Sequence, residues 1–90
     1  MEFSWDDKKA VANLAKHKVS FHEAASVFDD TLALTFDDPD HSIGEQRLLT
    51  FGESVNGRLL AVIHTAQGSL ARIISVRPAT RRERKIHDEG

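Results

Sequence analysis

The chain contains no cysteine and no tyrosine. The first absence excludes disulfides and thiolate metal sites, and the second removes one possible acid–base residue. No apolar run approaches the about 18 residues that a membrane span needs. The N-terminal residues lack the apolar core of a secretory signal. A cytoplasmic location with no membrane partner is therefore the default expectation. There is no glycine-rich phosphate loop and no dinucleotide fingerprint. No serine has the surroundings of a Ser-His-Asp nucleophile. Arginine is missing from the first half: residues 1–45 hold four lysines against ten acids, a net −6.

All seven arginines fall in residues 46–90, with one lysine and four acids, for a net +4. Arginine suits forked contacts to phosphate or carboxylate. Either the acidic half folds against the basic half, or the second half carries a polyanion site. Ninety residues, 40% of them hydrophobic and 29% charged, form one small domain over 1–90 with a single modest core.

The stretch Ala71–Arg77, ARIISVR, organises the expected fold. It is β-branched and apolar, with an arginine near each end. Regular alternation assigns Arg72, Ile74 and Val76 to one face and Ile73, Ser75 and Arg77 to the other. A central strand is expected, because both faces need apolar cover. Pro78 stops it, and Thr80 with Glu83 spells a capping box opening a short basic helix.

Upstream, residues 2–5 read as a first strand, with Phe3 and Trp5 as core anchors. Asp6 caps a helix whose apolar face is Val11, Leu14 and Ala15 and which ends near Lys16–Lys18. Ser20 with Glu23 marks a second capping box, followed by the face Phe21, Ala24, Ala25, Phe28. The short connection makes the two helices an antiparallel hairpin. Thr31–Phe36 alternates like a strand. A polar loop follows over 37–44. Strand-like runs 46–54 and 58–66 flank Asn56–Gly57, the strongest short-range hairpin signal. Gln67–Gly68 turns into ARIISVR. The class is α+β: a helical hairpin on one face of a mostly antiparallel sheet, with a short C-terminal helix and the other face partly open.

Several residues carry possible chemistry, each with a plainer alternative. Lys16–His17 offers a titrating imidazole beside a phosphate-binding ammonium, or simply cations completing a helix C-terminus. Arg47, Arg72 and Arg77 lie in strands of one sheet and can converge on a phosphate, or pair with Glu45, Glu53 or Glu83. Ser75 touches a phosphate or fills a small core site. Glu83 and His87, i and i+4, form an acid–base pair, unless Glu83 is taken by its cap. Arg81, Arg82, Arg84 and Lys85 form a solvated face or hold RNA or an acidic partner. Asp37, Asp38, Asp40 and His41 suggest a hard-metal site, though the spacing matches no calcium loop; a flexible acidic turn is the alternative.

The run Trp5–Phe28, WDDKKAVANLAKHKVSFHEAASVF, resembles the opening of the BrnT toxins of type II toxin–antitoxin systems. The shared pattern falls on Trp5, Asp6, Lys9, Asn13, Lys16, His17, Val19, Ser20, Phe21 and Ala24. It continues through Glu45, Arg47, Gly52, Arg72–Arg77, Ala79, Thr80, Glu83 and Arg84. Three positions depart: Lys18 where the family has glycine, Pro78 where arginine is common, and His87 near a frequent tyrosine. The resemblance implies a RelE-like fold and a ribonuclease that blocks translation. It also implies a BrnA-like ribbon-helix-helix antitoxin that neutralises the toxin and alone contacts operator DNA. On that basis the expectation is metal-independent RNA cleavage without a cofactor. Arg47, Arg72 and Arg77 would stabilise charge, His17 would move protons beside Lys16, and Glu83 and His87 would be weaker candidates. The rival expectation is a non-catalytic module whose arginine surface binds RNA or an acidic partner.

Overall fold

The computed structural model describes residues 1–38 and 46–90. The sequence elements appear in the order β1 (Glu2–Ser4), α1 (Asp7–His17), α2 (Phe21–Ser26), β2 (Leu34–Asp37), β3 (Leu48–Glu53), β4 (Leu59–Gln67), β5 (Leu70–Pro78) and α3 (Arg81–Glu89). The sheet order is β1-β5-β4-β3-β2. Strands β2 to β5 form the expected antiparallel meander, and β1 joins β5 in parallel. The α+β class is as expected. Residues 39–45 lie outside the described residues, and with them the candidates Asp40, His41 and Glu45; Asp37, read from the sequence as part of the loop, instead ends β2.

Local chemistry explains most boundaries. The Asp6 carboxylate accepts the Lys8 amide at 2.8 Å and starts α1. The helix ends at Lys18, whose φ of 60° is left-handed. That conformation favours glycine, and a lysine adopts it at a cost. Ser20 Oγ accepts the Glu23 amide at 3.0 Å and starts α2. Strand β2 begins at Leu34, later than the alternation suggested. Asp30 Oδ1 accepts the Leu32 amide at 2.9 Å and Asp30 O accepts the Ala33 amide at 3.1 Å, a local turn that outcompetes extension. The β3–β4 hairpin turns through Gly57 at φ 76°.

The core joins Val19, Phe21, Ala24 and Val27 to Leu60 and Val62 of β4 and to Ile73 and Val76 of β5. Phe3 and Trp5 pack at its margin, as expected, and so does Phe28. Val27, in the 3-10 turn Val27–Asp29, is fully buried. A row of polar groups crosses the same layer. Thr50 Oγ1 lies 2.7 Å from Thr35 Oγ1 and 2.7 Å from His64 Nε2. Burial pushes the His64 pKa down, keeping the imidazole neutral.

Two expectations about the helices are overturned. Val11 and Leu14 face solvent, 70% and 49% exposed, while α1 turns Ala10, Asn13 and His17 towards the body. Asn13 wins that face because its amide satisfies buried backbone groups that an aliphatic side chain would leave unpaired. The second capping box is only half formed. The Glu23 carboxylate ignores the Ser20 backbone; it forms a forked ion pair with Arg58 and accepts from Ser54 Oγ. At Thr80 the box is complete: Glu83 N donates to Thr80 Oγ1 at 3.1 Å, and Thr80 N donates to Glu83 Oε1 at 2.9 Å.

Candidate active site

Strand β5 does not keep the even alternation expected of it. Ile63 pairs with Ser75 but His64 pairs with Ile73, so Ile74 is an extra residue, a β-bulge. Directly opposed residues of an antiparallel pair share a face. Val62 opposes Val76 and His64 opposes Ile73, which places both β5 residues on the helix-packed face. Thr65 opposes Arg72, Ile63 opposes Ser75 and Ala61 opposes Arg77. Arg72, Ser75 and Arg77 therefore share the second face. Alternation alone had separated Arg72 from Arg77; the extra residue reunites them. Strand β3 begins at Leu48, which opposes His64, so Arg47 stands at the entry to β3, next to the end of the paired register. Of the three arginines singled out from the sequence, Arg72 and Arg77 thus belong to one face, and Arg47 precedes the paired register.

The two ends of this face differ. Arg72 is exposed. At the other end Arg77 makes a forked pair with Glu83, Nη1 to Oε1 at 2.7 Å and Nη2 to Oε2 at 3.0 Å. The guanidinium holds the Glu83 carboxyl below its usual range. Glu83 thus serves Arg77 and the α3 cap together. His87, the other half of the suggested acid–base pair, turns elsewhere: its Nε2 lies 3.0 Å from Asp30 Oδ2, and its ring is 8% exposed. The Glu83–His87 pair does not form, because each member has a stronger partner off the helix.

Beyond Ser4 the outer edge of β5 is no longer covered by β1, and α1 takes its place. Asn13 Nδ2 donates to Val76 O at 2.9 Å and to Val19 O at 3.1 Å, and Asn13 Oδ1 accepts the Val76 amide at 3.0 Å. A side-chain amide here substitutes for a strand neighbour. The same docking opens a cleft of about 230 Å³ lined by Lys9, Ala12, Asn13, Lys16, His17, Ile74 and Ser75. Lys16 and His17 thus meet the bulge at Ser75, between Arg72 and Arg77 in sequence. Lys9 joins them, and sequence reasoning passed over it. The signal was available: Lys9, Asn13 and Lys16 recur at i, i+4, i+7, one helix face.

The arrangement can hold a bent phosphodiester along β5, with cations on two sides and one imidazole at the edge. Among the described residues no group of three or more His, Asp or Glu side chains is placed to hold a metal ion, and no helix is long and apolar enough to cross a membrane.

Residues 5–83 match the family described as ribonuclease toxin, BrnT, of type II toxin–antitoxin system. The fold is similar to the crystal structure of the Brucella abortus ribonuclease toxin BrnT. The TM-score is 0.68 at 28% sequence identity, over 90% of this chain and 99% of that one. No curated protein matches the chain significantly. The family match spans the helix that supplies Lys9, Lys16 and His17 as well as the bulged strand that supplies Arg72 and Arg77, and the chain therefore belongs to the BrnT family of ribonuclease toxins of type II toxin–antitoxin systems.

Proposed function

We propose that this chain is a metal-independent endoribonuclease that arrests translation, acting at the second face of β5 and the adjoining α1 cleft. The observation that carries the reading is the convergence of Arg72, Ser75 and Arg77 on one face, with Lys9, Lys16 and His17 lining the edge beside Ser75. In the reaction an RNA 2′-oxygen forms a bond to the adjacent phosphorus. The bond from phosphorus to the 5′-oxygen breaks. The products are a 2′,3′-cyclic phosphate and a 5′-hydroxyl end. The 2′-hydroxyl proton is taken up at the site and the leaving 5′-oxygen receives one.

Arg72 and Arg47 neutralise the charge that builds on the phosphoryl oxygens. Arg77 does the same from the other end, held in place by Glu83. In this reading Glu83 is a positioning residue rather than an acid or base, since its oxygens are committed to Arg77 and to the Thr80 amide. His17 is the group that moves the proton, with Lys16 holding the phosphate. The partner is a BrnA-like ribbon-helix-helix antitoxin, through which alone the pair contacts operator DNA, and the complex is cytoplasmic.

The test is to incubate the antitoxin-free protein with a defined RNA, with and without EDTA, and to map the ends. The expected result is EDTA-resistant cutting that leaves 5′-hydroxyl ends and falls by about 10²-fold or more in Arg72→Ala and Arg77→Ala. A folded wild-type protein that binds the RNA and cuts it neither alone nor in translation extract would instead establish the non-catalytic module.

A further inference from the structure

We propose that Asn13 is the positioning residue of the cleft: it sets α1 against the bulge of β5 so that Lys16 and His17 stand beside Ser75. The inference rests on the functional reading above and extends it to a residue that touches no substrate.

Three observations point the same way. Asn13 is 7% exposed, a buried amide on a helix whose aliphatic residues Val11 and Leu14 face water. Helix α1 therefore docks with little apolar burial next to β5, and the amide must hold its register. Second, the three hydrogen bonds of its amide go to backbone: both polar groups of Val76 and the carbonyl of Val19. Backbone partners are fixed in space by the sheet and by the α1–α2 turn. The side chain thereby locks the helix axially and laterally, as a strand neighbour would. Third, Val76 is two residues after the bulged Ile74, and Asn13 is four residues before His17 on the same face. One amide thus joins the helix turn bearing His17 to the strand segment bearing Ser75 and Arg77. Loss of its bonds frees α1 to slide, and about 1 Å of misplacement at a site of this kind can cost about 10²-fold in rate.

The test compares wild type with Asn13→Ala and Asn13→Asp on one short defined RNA, well below their melting temperatures. Asn13→Asp keeps the acceptor for the Val76 amide and loses the donor to both carbonyls. Expected for Asn13→Ala is a kcat lower by about tenfold to a hundredfold with KM nearly unchanged, and an intermediate kcat for Asn13→Asp. In proton NMR spectra at fixed pH the His17 ring signals should move in Asn13→Ala while those of His87, on α3 beside Asp30, stay. A role in stability alone lowers the melting temperature and leaves kcat and the His17 ring signals at wild-type values, which overturns the proposal. Failure of both variants to fold assigns Asn13 to the fold and overturns it too. Should the wild type cut no RNA, the catalytic reading fails by itself. The His17 signals then decide this inference: moved, they support positioning; unmoved, they refute it.

Discussion

Glu83 grips Arg77 with both carboxylate oxygens, at 2.7 and 3.0 Å, and with one of them also accepts the Thr80 amide at 2.9 Å. The start of α3 and the end of β5 are therefore held by one side chain. Glu83→Ala should cost about 1–2 kcal/mol in urea unfolding at neutral pH, since the cap and an ion-pair anchor go together. Glu83→Gln retains the cap geometry and should cost less. Because Arg77 depresses the folded-state pKa of Glu83, its stabilising contribution is present above the ordinary carboxylate pKa. It is lost as pH falls through the lower folded value. If Glu83 were a general acid or base, Gln would abolish cleavage; as a positioner, it should leave measurable activity.

Glu23 joins α2 to the β3–β4 hairpin through Arg58 and Ser54. Arg58 and the Ser54 hydroxyl pull its pKa from 4.5 down to about 2 against the cost of burial. Folding stability should therefore fall between pH 4.5 and about 2, as the folded protein resists the protonation that the unfolded chain accepts. Glu23→Gln should flatten that part of the profile and lower stability at neutral pH by about 2–3 kcal/mol. Urea titrations of both proteins across this range check it; parallel curves would remove Glu23 from the account.

Lys18 is the non-glycine residue with positive φ among the described residues. Lys18→Gly should stabilise by about 0.5–1 kcal/mol, because the left-handed helix end costs a side chain more than it costs glycine. The gain is offset in part by loss of the Lys18 Nζ bond to Ala15 O at 3.1 Å. A higher urea midpoint with an unchanged slope is the expected signature.

Gly52 has no room for a methyl group. A Cβ there would lie 2.9 Å from Ala33 Cβ, 3.0 Å from Asp30 Oδ2 and 3.1 Å from Val27 Cγ1. Asp30 is committed to the Glu53 amide at 2.8 Å and to His87, so it cannot retreat cheaply. Gly52→Ala should destabilise by about 1–3 kcal/mol. A thermal melt equal to wild type would show that the strand shifts freely.

How much of this was legible beforehand follows from the range of each interaction. Asp6, Ser20 and Thr80 act on amides two or three residues away, so their caps could be read from the chain. Asn56–Gly57 dictated its own turn, and the order of strands in the meander followed from short connections. The residue types of the site, arginines in strands and Lys16–His17 at a helix end, were visible too, as was the family they belong to. Four things were decided only in three dimensions. Ile74 became a bulge because the β4 pairing shifts there, and one extra residue flips every later side chain, bringing Arg72 and Arg77 to one face. Asn13 displaced Val11 and Leu14 from the buried face because two backbone groups on β5 needed partners 63 residues away. Glu23 left its cap for an arginine 35 residues on, and Glu83 was claimed by Arg77 rather than His87. Local propensity sees neighbours a turn or a pleat apart; the cost of leaving a buried polar group unpaired is settled by whatever the fold brings alongside it.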